Sequence, residues 1–451
     1  MSKRVCVIGG GISGLNVSYG LKAGGADVTL LEKNSSVGGN IKTEFRDGFL
    51  FEYGPNTALA SRELLELING LGISDQVAAP NPNAKKRYIL RNGKLVDLPS
   101  SIFGLIGNKA FSAKAKLRLL KEPLIRTRAP ENESISAFFE RRLGKEIVDY
   151  AVDPFISGIY AGDPQKLSIR LAFPKLFEME KDFGSLLKGA VFGRKDKSSK
   201  LPKNTPRSVT FKKGMQTLTD ALSDNLTGNI RLGAGVEKIF KTGPQKFRVR
   251  SGVGEEEYDA VVICTPAHSA AGLIEDLDAS LAEELLGIYY PPIAVVATAF
   301  KHGDVKFDPE GFGFLVPGIE RRNILGSLWT SSVFENRAPK GYHLFTTFIG
   351  GSRNTALAAD DDDGLLRIAF DELDSILGLT CKPEFTMVKK WEKAIPQYNI
   401  GYGSVLKAIE TFESNNFGMF FCSNFYKGIS VSDCIKNSFA TAQAVLGRLS
   451  E

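Results

Sequence analysis

The chain opens with a short apolar run, a group of glycines, a helical pattern and a second apolar run that ends in an acidic residue. The segments are VCVIGGGISG at 5–14 and DVTLLEK at 27–33. Continuous β-branched runs are typical of buried parallel strands, and apolar residues three and four positions apart are typical of a helix. The pattern therefore predicts a strand–turn–helix–strand unit with its turn at the glycines.

The glycines of this turn have the spacing of a dinucleotide-binding fingerprint. Gly9, Gly11 and Gly14 form G-x-G-x-x-G between the first strand and the helix, and Glu32 closes the second strand. Such glycines admit a pyrophosphate to the helix N-terminus, and the acid hydrogen-bonds a ribose hydroxyl. A glycine-rich turn in an ordinary βαβ unit is the structural alternative. The fingerprint alone does not distinguish FAD from NAD.

The pattern changes in the next part of the chain. KKRYILRNGKLVDLP at 85–99 predicts a β-hairpin that turns at Asn92–Gly93. Residues 100–204 show helical spacing without an intervening strand-rich segment, and a basic, polar linker is predicted at 194–205.

The second half of the chain is predicted to be mostly strands. Residues 211–266 indicate a second βαβ-like stretch, and residues 276–406 are mainly strand-like and aromatic. The chain closes with a strand, a loop around Gly428 and a helix that begins near Ser432. That closing unit can return to the first strands and bring a further helix N-terminus to a ligand.

Composition narrows the class of protein. With 451 residues the chain is long enough for two or three domains, and 43% hydrophobic with 24% charged residues is ordinary for a globular protein. The strand pattern begins at Arg4, so we expect no secretory signal, and no apolar run is long enough to span a bilayer. The net charge of +6 is mild and basic residues are not interleaved with aromatic ones, so no nucleic-acid partner is expected.

Cysteine and histidine usage bears on compartment and metal binding. The five cysteines include no C-x-x-C pair, and Cys6 and Cys264 stand inside apolar strand patterns. Buried, reduced thiols are therefore expected, which favours a reducing compartment. The three histidines show no ligand spacing, so no metal site is predicted.

A second glycine pair, Gly38–Gly39, follows the acid of the fingerprint, and a dinucleotide fold by itself does not require it. Together with the closing strand–loop–helix, this pair resembles the flavin amine oxidase-like superfamily, and within it the protoporphyrinogen oxidase family. The narrower resemblance rests on stretches that occur in the family's order: DGFLFEYGPN at 47–56, KKRYILRNGKLVDLP at 85–99, DPFISGIYAGDPQKLS at 153–168, FKKGMQTL at 211–218, GFGFLVP at 311–317, LGSLWTSSVFENRAP at 325–339, FIGG at 348–351 and WEKAIPQYNIGY at 391–402. The chain departs from the family at Asn40, where many members have arginine, and at Tyr402, where the family has histidine.

The resemblance implies a mixed α/β (α+β) fold with a Rossmann-type FAD-binding domain, a β-rich substrate domain and a helical, membrane-facing insert. The parts are the FAD-binding segments 1–84, 205–275 and 407–451, the substrate segments 85–99 and 276–406, and the insert 100–204. The resemblance also resolves the dinucleotide to non-covalently bound FAD. The residues that it places at the cofactor are Gly9, Gly10, Gly11, Ile12, Ser13, Gly14, Glu32, Lys33, Gly38, Gly39, Asn40, Gly54, Pro55, Asn56, Thr57, Val236, Trp391, Gly428, Ile429, Ser430 and Val431.

The activity that the resemblance implies is oxidation of a porphyrinogen to a porphyrin, with molecular oxygen as the acceptor. A hydride then passes to flavin N5, so no catalytic side chain is predicted. The resemblance places Arg87 at a propionate, and the residues that it places against the macrocycle are Gly158, Phe312, Leu315, Leu328 and Phe348. Aromatic and branched aliphatic side chains suit a flat tetrapyrrole, and a guanidinium suits a carboxylate. The structural alternative is a plain core at the apolar positions and a solvated charge at Arg87.

Protoporphyrinogen IX is the substrate that the resemblance favours, for haem or porphyrin biosynthesis. Oxidation of coproporphyrinogen III by the same fold is the alternative, because four propionates would favour extra cations, and Lys85, Lys86 and Arg91 stand near Arg87. A non-catalytic FAD-binding redox sensor is an alternative of another class, and the complete set of substrate positions argues against it. The signature segments of amine oxidases and carotene desaturases are absent.

Residues 110–128 combine leucines with lysines and arginines. This composition fits an amphipathic helix on an anionic membrane face, and equally an exposed helix with a solvated basic side. Because the family's helical insert faces the membrane, we expect peripheral association, in the cytoplasm or on the inner face of the cell membrane. The chain could act as a monomer or as a homodimer.

Overall fold

The computed structural model describes residues 3–99, 104, 108, 110–193 and 205–450. Its first unit is a five-stranded parallel sheet, named here the parallel sheet, in which the predicted first strand lies at the centre. Its strands, from edge to edge, are Ile230–Arg231, Asp27–Leu31, Arg4–Ile8, Ala260–Ile263 and Met419–Phe421. Almost every residue of the central strands is buried, as expected for a sheet covered on both faces.

The first and last helices pack side by side on the parallel sheet. They are Ile12–Ala23 and Val431–Ser450. Asn16 Nδ2 of the first helix donates to Ser438 Oγ of the last over 2.7 Å. Both ends of the chain therefore build the region around the glycine turn.

A seven-stranded sheet, named here the large sheet, forms the second unit. Its strands, in order, are Phe385–Trp391, Ile293–Lys301, Tyr342–Gly350, Gly326–Trp329, Gly313–Leu315, Tyr88–Arg91 and Lys94–Asp97. The last two are the predicted hairpin, which turns at Asn92 and Gly93 with φ of 51° and 72°. This hairpin joins the sheet through a parallel pair with Gly313–Leu315.

Helices occupy more of residues 276–406 than the predicted strand pattern allowed. Helix Asp362–Leu377 covers one face of the large sheet, with Leu365 and Leu373 in the same apolar cluster as strand residues. Helices Ala279–Leu286 and Tyr402–Asn415 flank the same part of the chain. The Asp361 side chain caps helix Asp362–Leu377 by accepting from Gly364 N. This local helix signal was obscured by the aromatic and β-branched residues in the rest of the segment.

The predicted second βαβ-like stretch is only partly correct. Strand Ser208–Phe211 pairs with the short strands Ala58–Leu59 and Val77–Ala78 instead of entering the parallel sheet. After helix Gln216–Asn225, the strand that does enter the sheet is Ile230–Arg231. A three-stranded antiparallel sheet of Val236–Gly243, Lys246–Ser251 and Gly254–Tyr258 then intervenes before Ala260–Ile263. A last small sheet is the hairpin of Thr43–Arg46 and Phe49–Glu52.

The segment predicted to be helical is helical over its described part, residues 110–193. Its helices are Ala113–Leu120, Ile135–Leu143, Lys145–Ile147, Asp153–Tyr160, Ile169–Ala172, Pro174–Phe183 and Leu186–Phe192. The buried Arg142 contacts Glu122 and Glu180, which ties three parts of the segment together. The predicted basic linker lies outside the described residues except for Thr205. Among the described helices, none combines the length and the apolar character that crossing a bilayer requires.

Candidate functional site

The glycine turn has the geometry that a dinucleotide requires. Gly9 has a φ of 104°, and a Cβ on Gly14 would lie 1.9 Å from Gly9 O, so a side chain at Gly14 has no space. A Cβ on Gly11 would meet no atom within 4 Å. Helix Ile12–Ala23 starts there without a side-chain cap, so the N–H groups of its first turn, which includes Ser13, face that open space.

The second glycine pair packs directly onto this turn. Gly38 N donates to Gly10 O over 2.8 Å, and a Cβ on Gly39 would lie 3.1 Å from Gly11 Cα. Both glycines of the pair have positive φ, 107° and 58°, which disfavours any side chain. The two glycine motifs, which are separated along the chain, thus form one surface.

The acid after the second strand lies beside the turn, and its partners are amides. Glu32 Oε2 accepts from Gly10 N over 2.7 Å, and Glu32 Oε1 accepts from Asn34 N over 2.9 Å. The next residue, Lys33, has its Cβ 3.4 Å from the position of a Cβ on Gly235, which precedes Val236. Glu32, Lys33 and Val236 are therefore brought together at one end of the cleft.

The segment around Gly54 and the end of the large sheet border the other end. A Cβ on Gly54 would lie 2.1 Å from Asn40 O, so the two predicted positions are in contact. Trp391 Nε1 donates to Tyr53 O over 2.8 Å, directly before Gly54, Pro55, Asn56 and Thr57. This bond joins the large sheet to the cofactor segment.

The last predicted cofactor segment, Gly428 to Val431, begins the final helix. Ser430 and Asp433 bond reciprocally, since Asp433 N donates to Ser430 Oγ over 3.1 Å. The helix therefore begins at Val431, one residue before the predicted Ser432, because Ser430 is the better cap. Ile429 packs against the large apolar cluster, and Gly428 N donates to Tyr398 Oη over 3.0 Å.

Two buried polar atoms show that this cleft suits a polar ligand. Asn56 Oδ1 and Thr265 Oγ1 are buried and have no hydrogen-bond partner among the described residues. Thr265 follows strand Ala260–Ile263, and its Cγ2 lies 3.2 Å from the position of a Cβ on Gly9. Buried polar groups are nearly always satisfied, so these atoms fit a cleft that a dinucleotide completes. Sequence reasoning missed Thr265, although a residue after a parallel strand is a recognised ligand position.

The four apolar positions predicted at the macrocycle come together and, with Gly158, are named here the slot. Phe312, Leu328 and Phe348 belong to one apolar cluster, and Leu315 and Phe348 lie in register on either side of Gly326. Cross-strand partners share a face of a sheet, so these side chains line one surface.

Gly158 closes the slot at Leu315. A Cβ on Gly158 would lie 2.4 Å from Leu315 Cδ2. Gly158 belongs to helix Asp153–Tyr160, named here the slot helix, so this helix packs on strand Gly313–Leu315 without an intervening side chain.

Arg87 lies at one edge of the slot. Its Cζ is 5.0 Å from the centre of the Phe312 ring. The side chain is exposed at the surface, yet surrounding protein, and then the charge of Arg207, lower the pKa of its guanidinium. Among the described residues, no carboxylate lies within ion-pair distance of Arg87. Arg207 is a second cation whose charge acts on Arg87, and sequence reasoning missed it.

Two of the other cations near Arg87 are paired with carboxylates. Lys86 Nζ lies 3.6 Å from Glu310 Oε2. Arg91 Nη2 lies 2.8 Å from Glu146 Oε1, which turns Arg91 toward the helical segment. The cations that kept the alternative substrate open are therefore not all available at the slot.

Comparison with known proteins agrees with this geometry. The model of the flavin-containing amine oxidoreductase family matches residues 12–446. A mitochondrial protoporphyrinogen oxidase of Nicotiana tabacum is 35% identical over 486 residues, which cover 99% of this chain and 95% of the relative. Coproporphyrinogen III oxidase of Bacillus subtilis (strain 168) is 27% identical over 465 residues, which cover 98% of each chain.

Among solved structures, a crystal structure of a provisionally named protoporphyrinogen oxidase from Exiguobacterium sp. 255-15 superposes with a TM-score of 0.83, at 24% identity and over 100% of both chains. This likeness establishes the fold, and the match over residues 12–446 establishes the family. The chain therefore belongs to the flavin-containing amine oxidoreductases, in the group that includes the protoporphyrinogen oxidases.

Proposed function

We propose that this chain oxidises protoporphyrinogen IX to protoporphyrin IX, with molecular oxygen as the acceptor. The observation that carries the proposal is the slot: a flat apolar surface closed by Gly158 against Leu315, with Arg87 at its edge. The name of the Nicotiana tabacum relative supports the same substrate.

The residues of the slot bind and orient the porphyrinogen, and no side chain is assigned as a catalytic acid or base. Phe312 and Phe348 offer apolar area to a macrocycle and exclude water from it. Arg87 holds a propionate and so fixes which edge of the macrocycle enters. A bound flavin supplies the two-electron acceptor, and each two-electron oxidation is balanced by reduction of one oxygen molecule to hydrogen peroxide.

Turnover by the purified, flavin-loaded protein tests this proposal. Protoporphyrin fluorescence should appear while oxygen is consumed, at a ratio of three oxygen molecules per porphyrin because six electrons leave the macrocycle. A flavin-loaded protein that oxidises neither protoporphyrinogen IX nor coproporphyrinogen III would instead favour the redox-sensor alternative.

Coproporphyrinogen III remains the second candidate because of one observation: a second cation, Arg207, is near enough for its charge to act on Arg87. The Bacillus subtilis relative carries that substrate in its name. Against it, Lys86 and Arg91 are paired with carboxylates. The ratio of kcat/KM values for the two porphyrinogens decides between them.

We further propose that the flavin is FAD and is held non-covalently. The glycine turn with Glu32 supports a dinucleotide rather than a mononucleotide. Acid denaturation of the yellow protein should release free FAD at one equivalent per chain. A flavin that stays with the precipitated protein, or release of FMN, would contradict this proposal.

We also propose that the protein works in the cytoplasm as a peripheral membrane protein. Leu117, Leu120 and Leu124 are exposed at 54%, 54% and 77%, beside Lys116 and Lys121. Exposed leucines next to lysines fit an anionic lipid surface. Whether the protein is a monomer or a homodimer is decided by its mass in light scattering.

A further inference from the structure

The separation between the slot helix and strand Gly313–Leu315 determines one dimension of the slot. Gly158 and Leu315 are already at contact, since a Cβ on Gly158 would lie 2.4 Å from Leu315 Cδ2. A small movement of the slot helix away from the strand would therefore widen the slot.

One arginine, Arg353, bonds to both of these elements. Its Nη2 donates to Asp153 Oδ2 over 2.9 Å, at the first residue of the slot helix. The same nitrogen donates to Ser157 Oγ over 2.9 Å, at the residue before Gly158. Its Nη1 donates to Val316 O over 2.8 Å, directly after Leu315. The guanidinium thus bridges the helix and the strand next to their contact.

Asp153 strengthens the same bridge. Its Oδ2 also accepts from Gly318 N over 2.7 Å, in the turn that follows the strand. The side chains of Arg353 and Asp153 are 18% and 22% exposed, so their ion pair is largely shielded from water. Shielded, charge-assisted hydrogen bonds hold geometry better than surface pairs.

The loop that carries Arg353 also holds the other end of the slot helix. Ser352 N donates to Ala161 O over 2.7 Å. The loop follows strand Tyr342–Gly350, which contributes Phe348 to the slot. Two walls of the slot are therefore joined through this loop.

The slot helix does not begin with a cap of its own. It continues from a π-helical turn, Val148–Val152, and no side chain caps its first residue. π-helical turns are irregular and often lie at functional sites. Arg353 and Asp153 instead fix this end of the slot helix to the strand and to the turn that follows it.

We propose that Arg353, bound to Asp153, is a positioning residue that holds Gly158 against Leu315 and so sets the width of the slot for a flat macrocycle. The inference rests on the proposed function, because the slot is a substrate site only if the chain oxidises a porphyrinogen.

The test compares Arg353→Gln with Arg322→Gln in the flavin-loaded protein. Arg322 is a matched control, since it also pairs with a buried acid, Glu372, at 3.4 Å, but has no bond to the slot helix. Arg353→Gln should raise KM for porphyrinogen about tenfold, with a smaller change in kcat and an unchanged flavin spectrum. Arg322→Gln should leave KM unchanged.

A double-mutant cycle with Gly158→Ala separates positioning from general stability. Gly158→Ala alone should raise KM, because its methyl meets Leu315. In the Arg353→Gln background the helix can move away, so the same change should raise KM several-fold less. Arg353→Lys, which keeps the charge but cannot make all three bonds, should lie between wild type and Arg353→Gln.

The outcomes that overturn the inference are distinct from failure of the proposed function. If the wild type oxidises porphyrinogen but Arg353→Gln leaves KM unchanged, or if its effect simply multiplies with that of Gly158→Ala, Arg353 has no positioning role. If the wild type oxidises no porphyrinogen, the proposed function fails and the positioning role with it. Should Arg353→Gln not fold, Arg353→Lys and Asp153→Asn are measured by the same criteria.

Discussion

Arg87 places its guanidinium beside the Phe312 ring at one edge of the apolar slot, with no carboxylate within ion-pair distance in the described part of the chain. Burial by surrounding protein, and then the charge of Arg207, lower the pKa of the Arg87 guanidinium. A carboxylate from a ligand would give this partly buried cation a partner. At the scale of single residues, this edge is therefore suited to an anionic substituent.

Arg87→Ala should weaken porphyrinogen binding far more than it alters the flavin. Loss of one charge-assisted contact costs roughly 1.5–3 kcal/mol, so KM should rise about ten- to a hundredfold. Arg87→Lys should recover part of the loss, because an ammonium lacks the bidentate fork. Steady-state kinetics with porphyrinogens that carry free and esterified propionates measure the effect.

Lys86→Ala is the matched control, because Lys86 is adjacent but already paired with Glu310. Its KM should stay within about twofold of wild type, as expected for an exposed pair. If esterification penalises wild type and Arg87→Ala equally, Arg87 does not bind a propionate.

Glu52 is a second residue whose environment has a measurable consequence. It is 3% exposed, and burial raises its pKa from the ordinary value of 4.5 to about 7. Hydrogen bonds from Thr43 and Met215 and the charge of Arg337 oppose that shift without cancelling it. Between about pH 4.5 and 7 the unfolded chain has released this proton while the folded protein keeps it, so stability falls as pH rises through that window.

Glu52→Gln should remove this pH dependence, because an amide occupies the site without ionising. The difference in unfolding free energy between the variant and wild type should be about 2–3 kcal/mol more favourable to the variant at pH 8 than at pH 5. Urea unfolding at both pH values measures it. The exposed Glu237→Gln should follow wild type at both pH values, and equal slopes for Glu52→Gln and wild type would show that Glu52 ionises normally in the fold.

At the scale of elements, the strand–turn–helix around Gly11 allows a substitution that tests ligand binding without disturbing the fold. Gly11 has a φ of −75°, which alanine adopts readily, and its Cβ would meet no protein atom within 4 Å. The fold therefore tolerates a methyl there, and only a ligand in the open space at the helix N-terminus would not.

Gly11→Ala should fold like wild type yet retain less than about a tenth of the FAD that wild type holds. Gly11 is the second glycine of the motif, and a side chain at that position blocks the approach of the pyrophosphate. Flavin content after gel filtration and the thermal midpoint of the apoprotein measure the two effects. Gly272→Ala, in helix Ala267–Ile274 with equally open space, is the control and should keep its FAD. Full FAD content in Gly11→Ala would place the pyrophosphate elsewhere.

At the scale of the whole molecule, the helical segment presents exposed apolar side chains on one part of the surface. Leu120 and Leu124 are exposed at 54% and 77%, with Phe192 at 72% on a neighbouring helix. Lysines interspersed with these side chains would add attraction to anionic headgroups, which salt weakens. The molecule thus has one candidate face for a lipid surface.

Leu120→Ser combined with Leu124→Ser should lower binding to phosphatidylglycerol vesicles at least about tenfold, since each leucine loses apolar burial. Vesicle flotation at low and high salt measures it. Val253→Ser, at an exposed apolar residue in the turn between strands Lys246–Ser251 and Gly254–Tyr258, should bind as wild type does. If the wild type does not float with anionic vesicles, the proposed membrane association is wrong.

The sequence by itself determined the features that depend on neighbouring residues. The turn through Gly9, Gly11 and Gly14 and the hairpin turn at Asn92–Gly93 follow from backbone conformations that few residues accept. The slot positions came from the family resemblance, since as isolated residues its four apolar side chains could equally have been core.

Only the tertiary structure decided how distant segments meet. Arg353 reaches Asp153 across 200 positions, and strand Ser208–Phe211 pairs outside the parallel sheet that its pattern suggested. The assembled large sheet also decided what helix Asp362–Leu377 covers, since Leu365 and Leu373 join the apolar cluster of its strand residues. Local periodicity records which face of an element is buried, but the partner of that face is selected by shape and hydrogen bonding across the whole fold.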